Sequence, residues 1–375
     1  MIMELEKFKD AIYTCNRTRC GFCREECPVF KEKKLESYAC RGKMLIARGM
    51  LEGIIPESEY EEIAKIVNTC SVCGSCAANC ALDNDEILEA LRADLVKKGY
   101  IDENHLLGIN SILEKANPFQ LDREDKIDWA EDIKFNKQSP ILFYAGCTDS
   151  LFYPERLANV VKTLKKLGIE MNYLGSDEPC CGELMHTTGH WEKFQAHAEN
   201  VRRTFKETGV KTIITHCPGC LRTFRDKYPK FVEDWGFEVL HVIQLIAQKI
   251  ESGEIRFKKP VNMKVTYHDP CHLGRLARII DEPRAILNAI PGIELVEMKH
   301  IGYQSHCCGA GGGLMAIDYE LVGNITDSRL KEAEETGADN LVTICPSCEF
   351  NFEKVIRNYN ITLLDLMDII DMAIE

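Results

Sequence analysis

The stretch PCCGEL at residues 179–184, answered by HCCGAG at 306–311, sets two cysteines side by side twice in one chain. Adjacent cysteines cannot pair with each other without straining the backbone, so the thiols serve some other purpose. Working outward, each pair belongs to a set of five: Cys147, Cys180, Cys181, Cys217 and Cys220, then Cys271, Cys307, Cys308, Cys345 and Cys348. Partners in the two sets are separated by 124, 127, 127, 128 and 128 residues, a shared register that marks an internal repeat.

Each half alternates strand and helix. ILFYAG ends at Cys147, and a helix is predicted from Pro154 with Leu157, Val160, Val161 and Leu164 on one face and Gly168 closing it. A strand around EMNYL leads to the first pair; a helix carrying Trp191, Phe194, Ala198, Val201 and Phe205 follows, and KTIIT runs into HCPGC. The second half repeats the order with KVTYHD, IELVEM and NLVTI. Every cysteine group thus falls at or beyond the carboxyl end of a strand, the edge where parallel α/β sheets bind ligands, and most fall where free helical N–H groups favour thiolates. Five thiolates exceed the four that zinc uses or a cubane needs. A CxxC pair, an adjacent pair and a distant single cysteine suit an expanded or opened iron–sulfur cluster in which one sulfur bridges irons. Zinc on four of the five is the alternative.

A second cysteine system precedes residue 81. CSVCGSCAANC, with Cys70, Cys73, Cys76 and Cys80, is the C-x2-C-x2-C-x3-C run of [4Fe-4S] ferredoxins. CNRTRCGFCREECPVF offers Cys20, Cys23 and Cys27 before Pro28, but its first ligand position falls on Arg17, leaving Cys15 as the substitute and Cys40 as the runner-up. Crossover ligation puts Cys15, Cys20, Cys23 and Cys80 on one cubane, and Cys27, Cys70, Cys73 and Cys76 on the other. A pair of zinc knuckles is the competing reading. The cysteine-free link at 81–138 contains the helical DEILEALRADLVKKG, so the predicted domains are 1–138, 139–260 and 261–375.

Composition bounds the rest. Nineteen cysteines in a chain without a secretory start point to metal rather than disulfides, and to the cytoplasm. A net charge of −13 argues against a nucleic-acid partner. No apolar run approaches the length of a membrane span.

The doubled C…CCG…CxxC pattern resembles the cysteine-rich CCG domain in the B-type component of heterodisulfide reductase, the N-terminal runs resemble the C-type component, and the fused order resembles the D-type component. The resemblance implies two cubane and two noncubane [4Fe-4S] clusters, the latter held by the two sets of five cysteines across a pocket where the coenzyme M–coenzyme B disulfide is cleaved. CGFCREECPVF followed by CRGKMLIARGMLEG is also similar to iron–sulfur subunits of flavin-linked lactate, glycolate or glycerol-phosphate dehydrogenases, which gives the second expectation: an electron-transfer subunit. Two electrons per disulfide and one per cluster match a paired site, which favours disulfide reduction.

Protons are expected from histidines beside the cluster cysteines, His216, His268, His272 and His306; hydrogen bonding to cluster sulfurs is the equal alternative. CCGAGGG is a poor dinucleotide fingerprint and reads as close backbone approach to a cluster or substrate. The tail ITLLDLMDIIDMAIE aligns with EVLHVIQLIAQKIES and reads as a packed domain helix. The expected architecture is a helical ferredoxin-like two-cubane domain followed by two pseudo-twofold α/β halves with parallel sheets. Lacking its own flavin or nicotinamide fingerprint, the chain needs a flavoprotein or membrane cytochrome as electron donor, and would meet a membrane only peripherally through it.

Overall fold

The computed structural model describes residues 3–374. Residues 3–115 form helices and their connections, with the principal helices at Lys9–Thr18, Cys40–Leu51, Tyr60–Asn68, Asn84–Lys97 and Glu103–Lys115. The rest forms two all-parallel sheets. β1 (Ile141–Tyr144), β2 (Thr212–Thr215) and β3 (Glu238–His241) lie in that order; β4 (Met263–Tyr267), β5 (Ile293–Leu295), β6 (Asn340–Thr343) and β7 (Thr362–Asp365) lie in the order β5-β4-β6-β7. Central β2 buries Ile213, Ile214 and Thr215 in succession, as a strand covered by helices on both faces must. Among the described residues no helix is long and apolar enough to cross a membrane.

Two predicted elements differ. The EMNYL strand shrinks to one parallel bridge, Leu142 to Asn172, although its counterpart β5 forms. Phe143 donates to the Asn172 carbonyl, but the next donor on that edge of β1, the Ala145 N–H, is taken by the Glu178 carboxylate at 2.8 Å, so the ladder stops after one bridge. In the tail, Thr362–Asp365 is a strand, and Asp365 then caps the helix Leu366–Ala373 by accepting from the Met367 N–H at 2.7 Å. The helix buries Leu366, Met367, Ile369 and Ile370, as expected of a packed one.

Ionic contacts join the two halves. His216 of the first half lies 3.1 Å from Asp365 of the second, Arg156 pairs with Glu349, and the Tyr153 hydroxyl donates to Glu353 at 2.8 Å. Buried polar side chains fasten the N-terminal domain to both halves: Glu89 pairs with Arg222 and Lys227, Arg275 donates to the Cys73 carbonyl, and Arg92 reaches the most partners. Arg92, on the helix Asn84–Lys97, donates to the carbonyls of Val67, Asn68 and Cys70 in its own domain, Thr187 in the first half and Gly312 in the second, at 2.6–3.1 Å.

The glycine run after the second cysteine pair makes this closeness possible. A β-carbon on Gly312, at φ +64°, would lie 2.6 Å from the Cys70 carbonyl oxygen, and one on Gly311 would lie 2.7 Å from that of Ser71. The predicted close approach is thus to the loop bearing the ferredoxin-like cysteines. Gly312→Ala is expected to lower stability by about 2–4 kcal/mol through clash and backbone strain, seen as a fall in the thermal midpoint of the iron-loaded protein.

Candidate iron–sulfur and substrate site

Local sequence chemistry aims each sulfur. Cys27, Cys217 and Cys345 each precede a proline that opens a helix: Pro28–Lys33, Pro218–Arg222 and Pro346–Phe352. Proline supplies a helical φ at the first position and forces the residue before it to be extended; the three cysteines have ψ of 114°, 119° and 111°. Each thiol therefore stands at a helix start, where the peptide dipoles favour an anion.

The glycine of each CCG is required by geometry. Gly182 and Gly309 have φ of +79° and +95°, a region that side chains oppose. In that turn the glycine N–H donates to the first sulfur of the pair, Gly182 to Cys180 at 3.5 Å and Gly309 to Cys307 at 3.3 Å. The second sulfur is left to contact both neighbours. Cys181 is hydrogen-bonded to Cys180 and Cys220, whose sulfur is 3.5 Å away; Cys308 is hydrogen-bonded to Cys307 and Cys348. Those bonds pull the Cys181 and Cys308 thiols down against the upward push of burial. Each half thus strings its five sulfurs in the same order: Cys147–Cys180–Cys181–Cys220–Cys217, and Cys271–Cys307–Cys308–Cys348–Cys345.

Both strings face one cavity of about 430 Å³, lined by every cysteine of the two sets except Cys307. Cys307 turns the other way. Its thiol is hydrogen-bonded to Cys73 of the ferredoxin-like domain and lies 3.8 Å from the Ser71 hydroxyl. Among the N-terminal cysteines, burial pushes the Cys15 thiol up, with Cys23, Cys80 and Cys20 around it adding to the push, and burial likewise raises the Cys27 thiol, which has Lys43, Cys70 and Cys73 in its surroundings. Cys27, Cys40, Cys70, Cys73 and Cys76 border a second small cavity. Cys40 is buried between the groups, hydrogen-bonded to Cys23 on one side and Cys76 on the other.

The four histidines part company. His272 lines the cavity, and burial pushes its pKa down to about 3, so it is neutral. His216 lies beneath it, 3.0 Å from Asp149 and 3.1 Å from Asp365; burial opposes its charge, but the two carboxylates outweigh burial and keep it protonated. His268 is buried beside Cys308 and Cys348, its Nδ1 accepting from Arg329 at 3.0 Å, so the ring proton sits on Nε2, facing the sulfurs. His306 points away, stacked on His300 at 3.8 Å and 3.3 Å from Glu332. No one of the four both lines the cavity and carries a positive charge. Sequence reasoning passed over Glu183, which lines the cavity 3.7 Å from His272 and whose carboxyl is raised by burial. Its position inside PCCGEL was the available signal.

The donor set fits iron–sulfur clusters: sulfur gathered at each focus, buried or half-buried in the two sets of five, with N–H donors from Gly182, Gly309 and His268 turned toward it. Comparison with known proteins agrees. The cysteine-rich CCG domain family matches residues 141–225 and 265–353, and the 4Fe-4S dicluster domain family matches residues 11–84. The D-type component of dihydromethanophenazine:CoB–CoM heterodisulfide reductase from Methanosarcina mazei is 33% identical over 96% of this chain and 92% of its own length. The B-type component of the fumarate reductase (CoM/CoB) of Methanothermobacter marburgensis is 29% identical over 98% of this chain and 74% of its own, and the EtfAB:quinone oxidoreductase of Syntrophomonas wolfei is 26% identical over 91% and 55%. With two-cluster and doubled CCG cysteines in one continuous match, the chain belongs to the D-type heterodisulfide reductase family and is an iron–sulfur oxidoreductase subunit.

Proposed function

We propose that the cavity between the two halves is where a small-molecule disulfide is reduced. The observation that carries this reading is the convergence of nine cysteines, from two copies of one motif, on a single cavity. Two cubanes on the ferredoxin-like cysteines and a noncubane [4Fe-4S] cluster on each set of five would together supply single electrons at two facing positions. The S–S bond breaks, two electrons enter from an external donor, and each sulfur leaves as a thiol after taking one proton. The chain's own residues orient and shelter this step: Gly182 and Gly309 aim the paired sulfurs, and Glu183 with His272 forms the polar corner where a proton can be held. The Cys73–Cys307 contact supports entry of electrons from the ferredoxin-like domain into the second half. A flavoprotein or membrane cytochrome is the proposed donor, any membrane association running through it. The heterodisulfide of coenzymes M and B, which the names of relatives carry, is the first compound to offer.

Anaerobically purified protein with its clusters loaded is expected to convert a substrate disulfide to two thiols at the expense of two electrons from a reduced viologen and two protons, and its oxidised form to develop a new paramagnetic signal when one of those thiols is added. Full iron content with no signal and no thiol from any disulfide would favour the plain electron-transfer role instead.

A further inference from the structure

Most buried cations of this chain have a carboxylate beside them. Lys126 has Glu178, Arg222 and Lys227 share Glu89, and Arg329 has Glu332, at 2.7–3.7 Å. Lys43, Arg92 and Arg275 are only 1–2% exposed, yet among the described residues they form no ion pair. Each donates to backbone carbonyls instead: Lys43 to Tyr38 at 2.5 Å, Arg275 to Tyr303, Cys73 and Ser305, and Arg92 to five. A buried charge without a counter-charge is costly, and these three share one neighbourhood. Lys43 borders the small cavity together with Cys27, Cys70, Cys73 and Cys76, Arg92 donates to the Cys70 carbonyl at 2.6 Å, and Arg275 donates to that of Cys73 at 2.8 Å. The carboxylate on that cavity, Asp85, is taken by Arg222 at 2.8 Å. Burial raises the Cys27 and Cys70 thiols, and Lys43 works against it at both. The other four ferredoxin-like cysteines lack such a cation: Arg41, whose backbone N–H serves Cys23, is half-buried and lies 3.5 Å from Glu36.

We propose that Lys43, Arg92 and Arg275 are the counter-charge of a cubane on Cys27, Cys70, Cys73 and Cys76, and that Lys43 sets its reduction potential. The inference rests on the ferredoxin-like cluster assignment and not on the disulfide reading. A cubane held by four thiolates is anionic and gains one further negative charge with each electron it takes, so a fixed cation favours the reduced form, the more so where water does not screen it. Arg92 and Arg275 also tie backbone segments together. Lys43 holds a single carbonyl, so its charge is its main contribution. An electron arriving from the donor is thereby held next to Cys73, whose thiol meets Cys307 of the second half.

The anaerobic, iron-loaded full chain is reduced stepwise at controlled potential while the low-temperature paramagnetic signals of the two cubanes are followed. Lys43→Met is expected to move one cubane at least about tenfold toward its oxidised form, a fall in midpoint of about 59 mV for one electron, and to leave the other in place. Lys43→Arg, which keeps the charge, should stay near the parent midpoint. Arg41→Met, on the same helix but half-exposed and paired with Glu36, should move either midpoint by less than about threefold in the same ratio. Unmoved midpoints in Lys43→Met, or an equal fall in Lys43→Arg, overturn the proposal. Should Lys43→Met lose about four iron atoms, their retention by Lys43→Arg upholds the counter-charge, and loss from both variants overturns it. No disulfide enters the measurement, so either reading can fail while the other stands.

Discussion

Exchanging Cys181 or Cys308 for serine is expected to empty one half of its cluster, removing about four iron atoms per chain, while the other half and both ferredoxin-like sites stay loaded. Each of these residues is the middle sulfur of its string, in contact with the first cysteine of its pair and with the second of the CxxC. Losing an end of a string leaves four sulfurs together; losing the centre divides the set. Disulfide turnover should vanish in both variants, because one sulfur of the substrate would face an empty half. Cys40→Ser is the contrasting control. Cys40 lies outside both proposed sets of four, its thiol hydrogen-bonded to Cys23 and Cys76, so iron content is expected to hold, and a loss of iron would put Cys40 in the place of Cys15. Iron analysis together with the low-temperature paramagnetic spectrum of each variant checks the three outcomes.

Arg92→Met should be nearly as damaging although Arg92 touches no sulfur. Its guanidinium satisfies five carbonyls from three segments far apart in sequence, and it is 1% exposed, so no water could take its place. Burial pulls its pKa down, while Cys70 and Glu89 hold its charge. Each buried carbonyl left without its donor costs about 1–3 kcal/mol, and the guanidinium serves five of them. Arg92→Lys should recover little, since an ammonium lacks the planar fork. Limited proteolysis of the anaerobic protein should show cleavage around residues 116–140 in both variants and resistance in the parent.

Much of the architecture was legible in the sequence, for reasons that differ by residue. The two sets of five were visible because a duplicated register needs no structure to be seen, and the helix face of Leu157, Val160, Val161 and Leu164 because burial follows the 3.6-residue period. The turn of Cys307 toward Cys73 was not, since spacing is identical in the two copies and only the presence of a neighbouring domain separates Cys307 from its counterpart Cys180. Leu107 and Phe119, which line the sulfur-rich cavity, read as part of a link because amphipathic pattern tells that a face is covered, not what covers it. The histidines were selected by nearness in sequence to cysteines, yet neighbours on a strand point to opposite faces, and at a helix start their directions diverge as well.

The packing of Gly311 and Gly312 onto Cys70 and Ser71 bears on how the molecule matures. Cys73 and Cys76 on one side of that seam, and Cys307 and Cys308 on the other, are all buried once the backbones meet. Cys308 stays reachable through the cavity it lines, so it is the ferredoxin-like set behind the seam that is expected to take its iron before the backbones close, and a chain that shuts early leaves that interior empty.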